Sequence, residues 1–201
     1  MSSEDAAKHE VWRLFVAIDL PDDVKKRLEY IARILREAGW VARWTKPETT
    51  HLTLRFFGNR PLDSVAELRT RLRSVLMDEP VFELGTADVG VFPNSRRPRV
   101  IWLGVQDQTG TLARIARAIE AESRRLGIEP EERPFRPHLT IARLQPEDRR
   151  SVTNVDTQFA ELACLRPLRF DVDHVTLYRS DLQRVGALYT VVERFDFRVA
   201  S

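Results

Sequence analysis

The chain has 201 residues, 43% of them hydrophobic and 31% charged, with a formal net charge of +2. That is the balance of an ordinary soluble globular protein with enough chain to bury a core. It excludes a polycation whose field alone would coat duplex nucleic acid, and no run of ~18 apolar residues offers a membrane span.

Met1 to Glu10 is polar and acidic, unlike a signal peptide. Val11 to Leu20 reads as a buried strand closed by Pro21. A helix follows, capped by Asp22 or Asp23, with Val24, Leu28, Ile31 and Leu35 at helical spacing and Gly39 as its stop. Trp40 to Lys46 is short and extended, and His51 to Phe57 is a second strand. Ser64 and Glu67 form a capping box for a helix whose Val65, Leu68, Leu72, Val75 and Leu76 share a face. Val81 to Phe92 is strand-like up to Pro93, and Arg99 to Val105 is another strand. Thr111 to Leu126 is helical, with Leu112, Ile115 and Ile119 on one face and Gly127 after it. Pro137 to Leu144 is a strand. Residues 147–165 are rich in β-branched residues and predict a loop and a short helix. Within them Cys164, the only cysteine, excludes an intrachain disulfide and points to a reducing, cytoplasmic setting. Its neighbours Leu162, Ala163 and Leu165 make it a small buried apolar residue rather than a nucleophile. Strands near 168–179 and 187–198, joined by a hairpin from Asp181 to Gly186, end the chain.

No Gly/Ser-rich linker interrupts this order, so residues 1–201 are expected to form a single domain. The class is α+β, with two similar halves, about 11–95 and 96–198, fused and facing each other.

Two stretches carry the functional signal. Lys46-Pro47-Glu48-Thr49-Thr50-His51-Leu52-Thr53-Leu54 and Arg133-Pro134-Phe135-Arg136-Pro137-His138-Leu139-Thr140-Ile141 both end in His-Leu-Thr and a branched apolar residue. In each, a basic residue and a proline lie upstream. The prolines favour extended approaches, and Pro137 keeps Arg136 out of helical geometry. On a strand, residues i and i+2 share a face, so His51 projects with Thr53 and His138 with Thr140, while the leucines between them point to a core. Arg55 shares that parity in the first strand and is a candidate rim charge.

If the halves face each other, two His-Thr pairs line one groove, which suits a phosphodiester. One imidazole takes a proton from water while the other gives one to the departing oxygen, as in-line displacement requires. The hydroxyls donate to non-bridging oxygens, and histidine's pKa of about 6.5 lets the pair hold opposite protonation states near neutrality. Arginine, which supplies nearly all the positive charge, suits phosphate, although a GC-rich coding sequence is the simpler account of that bias. A single H-x-T on a strand is more often a packed or surface histidine. A metal site is disfavoured because the i+2 partners are threonines, so no metal or other cofactor is expected. A binding module that holds RNA ends or nucleotides without turnover, with Arg96, Arg97, Arg99, Arg136 and Arg143 around the groove, stays open. A third match, His174-Val175-Thr176-Leu177, lacks the upstream proline and has two nearby aspartates, so His174 is expected to be structural or superficial. His9 lies in the polar tail and has no chemical role.

These motifs resemble those of the two-histidine (2H) phosphoesterase superfamily, in particular its RNA 2′,3′-cyclic phosphodiesterase branch, long named 2′-5′ RNA ligase. Arg13 to Ala17, His51-Leu52-Thr53-Leu54 with Phe56-Phe57-Gly58 shortly after, Val100-Ile101-Trp102-Leu103-Gly104, Pro137 to Ile141 and Thr176-Leu177-Tyr178 occur in the branch's order. The resemblance implies a bilobal α+β fold with pseudo-twofold symmetry, an antiparallel-type sheet in each lobe, helices outside and a groove between. It also implies metal-independent hydrolysis of an RNA 2′,3′-cyclic phosphate end, or of small cyclic or 2′-5′-linked nucleotides, to a 2′-phosphate. The reverse ligation follows from the same groups. His51 would be the proton donor, His138 the acceptor, and Thr53, Thr140 and Arg143 would bind substrate. Regular parity places Arg143 opposite His138, so its role requires a bulge or the strand's end. A monomer with no membrane association is expected.

Overall fold

Five consecutive buried residues, Leu14 to Ile18, end the first strand, β1 (Val11–Ile18). A strand apolar on both faces needs cover on both, and β1 lies inside a sheet. The computed structural model describes residues 10–183 and 186–199. His9 and hairpin residues 184–185 lie outside them.

After β1 come α1 (Asp22–Glu37), β2 (Arg43–Trp44), β3 (Leu52–Pro61), α2 (Val65–Leu76), β4 (Phe82–Phe92) and β5 (Val100–Gln106). Beyond these lie α3 (Thr111–Arg125), β6 (His138–Arg143), α4 (Val155–Ala163), β7 (Arg169–Val172), β8 (His174–Gln183) and β9 (Gly186–Asp196). One sheet has the order β3-β1-β8-β9 and the other β2-β6-β5-β4-β7. Neighbouring strands are antiparallel throughout.

The fold is α+β and two-lobed, but the lobes do not follow the sequential halves. β8 and β9 return to pair beside β1, while β4, from before residue 95, sits in the second sheet. The helices cross over as well. α1 leaves the first sheet and packs on β6 of the second, and α3, between β5 and β6, packs on β3 of the first. Each H-x-T strand is thereby backed by a helix of the other lobe's sequence neighbourhood, and β3 and β6 come into contact.

Several local expectations change. Ser64 makes no cap to α2; its hydroxyl donates to the Pro61 carbonyl across a short 3₁₀ turn, so no capping box forms. Pro47 opens a 3₁₀ turn, Pro47–Thr49, where an extended approach was expected, because proline at a first helical position loses no hydrogen bond. The segment expected as one strand near 168–179 is two, β7 and β8, in different sheets. Cys164 is exposed, not buried, because it sits just past α4 on that helix's solvent side.

Candidate active site

Each motif histidine is held in the same way. The His51 Nδ1 lies 3.1 Å from the Thr49 carbonyl, and the His138 Nδ1 lies 2.7 Å from the Arg136 carbonyl. A carbonyl only accepts, so both Nδ1 atoms carry hydrogen, and each neutral ring keeps its lone pair on Nε2. The Pro47 turn supplies the Thr49 carbonyl for the first ring. Pro137, which keeps Arg136 non-helical, serves the second.

The two rings differ in their surroundings. His51 stacks on Phe15, centroids 4.6 Å apart, and meets Tyr189 edge-on at 5.2 Å. Burial drives its pKa down to about 4, against smaller upward pulls from the Thr49 carbonyl and Asp19. His138 is half-exposed and meets Phe92 edge-on at 5.1 Å. Phe92 in turn packs against Trp102, which lies across Gly90; a Cβ there would stand 2.3 Å from the indole.

Both motif strands are bulged directly after their threonine. In β3 the partners of β1 step from Thr53 (opposite Ala17) to Arg55 (opposite Val16), skipping Leu54. In β6 the partners of β5 step from Thr140 (opposite Trp102) to Ala142 (opposite Ile101), skipping Ile141. Partners directly across a ladder share a face, so each bulge reverses the facing of the residues beyond it.

Two arginines exchange places as a result. Arg143 falls opposite Val100, on the face of Thr140 and His138, and so the bulge its role required is present. Arg55 leaves the face of Thr53 and, although it lines the cavity shared by Thr53 and His138, it is held by internal partners and is no free rim charge. It is 4% exposed, pairs with Glu120 at 3.1 Å and Glu131 at 2.8 Å, and donates to the Glu129 carbonyl. It ties β3 to α3 and to the loop that leads to His138. Phe56 takes the face that Arg55 loses, 5.6 Å from Phe15.

Sequence reasoning missed two residues beside the motifs, Arg43 and Asp19. Arg43 lies directly across β2 from Arg143, with no acidic partner for either among the described residues. Nothing in so short a strand marks it. Asp19, just beyond β1, accepts hydrogen bonds from His174 Nε2 at 2.9 Å, Thr176 Oγ1 at 2.8 Å and the Tyr178 hydroxyl. These donors lower its pKa to about 2 against the opposing effect of burial. The Asp19 hydrogen bond is the largest influence raising the His174 pKa, with Asp173 assisting. The third H-x-T is therefore held in a carboxylate clasp built on Asp19, in which Asp173 but not Asp171 of its two nearby aspartates takes part. Tyr178 joins it to the site by stacking on Phe15 at 5.3 Å.

A cavity of about 530 Å³ has Thr53 on one wall and His138 on another, and Arg136 lines it too. Arg96 and Arg97 sit on the exposed turn between β4 and β5, where the Asn94 side chain accepts their backbone N–H groups. Among the described residues, no group of three His, Cys, Asp or Glu is placed to hold a metal. Each motif thus presents an imidazole whose Nε2 has no hydrogen-bond partner among the described residues.

Residues 15–184 match the 2′-5′ RNA ligase superfamily. The chain belongs to that superfamily. Within it, the chain is 32% identical to the RNA 2′,3′-cyclic phosphodiesterase of Methanothermobacter thermautotrophicus over 91% of this chain and 97% of that one. It is 31% identical to the Thermotoga maritima protein of the same name, over 92% and 95%. Among solved structures, Thermus thermophilus TT0787 superposes with a TM-score of 0.73 at 28% identity, covering 92% of this chain and 97% of that one. E. coli LigT in apo form gives 0.72 at 26%, covering 94% and 98%, and LigT has also been solved with 3′-AMP and with phosphate.

Proposed function

We propose that this protein hydrolyses RNA 2′,3′-cyclic phosphate ends to 2′-phosphates without a metal, using His51 and His138 as proton donor and acceptor. The observation that carries this is one cavity walled by Thr53 of the first motif and His138 of the second. The names of the relatives support the reaction class.

In the forward step, His138 Nε2 takes a proton as water's oxygen bonds to phosphorus. The bond from phosphorus to the 3′ oxygen breaks, and His51 Nε2–H protonates that oxygen. The products are a 3′ hydroxyl and a 2′-phosphate. Thr53 and Thr140 donate to the non-bridging oxygens, and Arg143 balances their charge. In the free protein His51 is neutral at pH 7, because its pKa is about 4. It therefore acquires its proton with the substrate, whose anion in a desolvated site favours imidazolium. The reverse reaction, a 2′-5′ ligation, uses the same groups, and water's abundance favours hydrolysis. We take residues 1–201 as one domain, acting as a cytoplasmic monomer on RNA ends or small cyclic nucleotides.

Phosphorus NMR of a cyclic-phosphate-ended oligonucleotide incubated with the protein and a chelator tests this. Conversion to a 2′-phosphate is expected. Tight binding with no product after long incubation would leave a binding module instead.

A further inference from the structure

Of the two His-Thr pairs, Thr53 and His138 line the 530 Å³ cavity. Its other walls come from α3, whose Arg117, Glu120 and Arg124 fall at i, i+3 and i+7 on one helical face, and from the loop 131–136. Five arginines and three glutamates line it. The glutamates are mostly spent internally: Glu120 pairs with Arg55 and Arg124, and Glu131 pairs with Arg55. Glu132 remains against Arg117, Arg133 and Arg136, none of which has an ion-pair partner among the described residues.

Elsewhere among the described residues about half of the arginines sit beside a carboxylate, such as Arg33 with Glu37 and Arg114 with Glu79. What sets Arg117, Arg133 and Arg136 apart is that all three line one cavity. Two aromatic rings accompany them: Phe56, 47% exposed, and Phe135, partly buried at the loop. Exposed cations that track a backbone, interleaved with aromatic faces for bases, are the combination that holds single-stranded nucleic acid.

We propose that this wall is a subsite for the RNA strand upstream of the cyclic phosphate, with Arg117 and Arg133 binding its internal phosphates and Phe56 and Phe135 stacking its bases. The inference rests on the proposed RNA-end activity and deepens it, making an oligonucleotide the preferred substrate over a nucleoside 2′,3′-cyclic phosphate.

The test compares wild type with the double variant Arg117→Gln/Arg133→Gln on two substrates, a cyclic-phosphate-ended oligonucleotide and a nucleoside 2′,3′-cyclic phosphate. The variant is expected to raise KM for the oligonucleotide about tenfold or more while kcat/KM for the mononucleotide stays within about twofold. The salt dependence of oligonucleotide binding should become shallower by about 1.4 in log-log slope, about 0.7 for each phosphate no longer neutralised. Equal effects on both substrates, or none on the oligonucleotide, overturn the subsite. If wild type hydrolyses neither substrate, the phosphodiesterase reading fails by itself. Fluorescence anisotropy with a 2′-phosphate-ended oligonucleotide and a nucleoside 2′-phosphate then decides the subsite separately. It stands if the variant loses only oligonucleotide binding, and falls if both or neither change.

Discussion

The two His-Thr strands are alike in sequence and unlike in setting. The first ring is packed between Phe15 and Tyr189, within the field of the Asp19 carboxylate. The second stands half-exposed, on a face shared with Arg43 and Arg143, which have no ion-pair partner among the described residues. Identical residues therefore start from different electrostatic conditions. An acid and a base need that asymmetry, because two equivalent imidazoles would compete for the same proton state.

Removing either ring gives the largest expected effect. His51→Ala and His138→Ala should each lower kcat by about 10²–10⁴ on a natural 2′,3′-cyclic phosphate. A substrate whose leaving oxygen is strongly acidic no longer needs a proton donor. It should restore much of the His51→Ala rate and little of the His138→Ala rate. Rescue of the His138 variant instead would reverse the two roles.

The arginines sharpen the contrast. Arg55→Gln strips the buried partner from Glu120 and Glu131, and should cost about 3 kcal/mol in denaturant unfolding, toward the low end for broken buried pairs because Glu131 is half-exposed. Arg143→Gln should behave oppositely. Arg43 and Arg143 are like charges directly across a ladder, a destabilising arrangement, so the variant should be as stable as wild type or up to about 1 kcal/mol more stable. Its kcat/KM should nonetheless fall. Equal stability losses in both variants would refute the division into one structural and one substrate-facing arginine.

That division was half legible. The doubled motif, most helices and the strands around Leu14, Leu52, Ile101 and Leu139 are set by apolar periodicity and proline punctuation, which are local signals. The bulges at Leu54 and Ile141 are not local: a one-residue offset is fixed by ladder partners on β1 and β5, and strict alternation misplaces every side chain beyond it. Asp19 was invisible for the same reason, since its donor His174 is 155 positions away. The sequential halves failed because β1, apolar on both faces, takes its second neighbour from the chain's end. Cys164 misled because its apolar neighbours do not share its side of α4.

A pH dependence probes the first ring in the resting protein. His51 has a folded pKa of about 4, while the unfolded chain should show about 6.5. Above pH 6.5 neither state binds a proton there, and the contribution to stability is complete. As pH falls from 6.5 toward 4, the unfolded chain gains a proton that the folded protein refuses, and about 3 kcal/mol is lost. His174, whose pKa is raised, acts with the opposite sign, so the wild-type slope alone is ambiguous. The difference between wild type and His51→Gln removes His174 from the comparison. Unfolding at pH 7 and pH 4.5 should show the variant losing less stability than wild type. An NMR titration should place the His51 imidazole near pKa 4 and move it upward when inorganic phosphate is added. A His51 that titrates near 6.5 with or without phosphate would mean that the aromatic enclosure does not set its proton affinity, and the asymmetry between the strands would need another source.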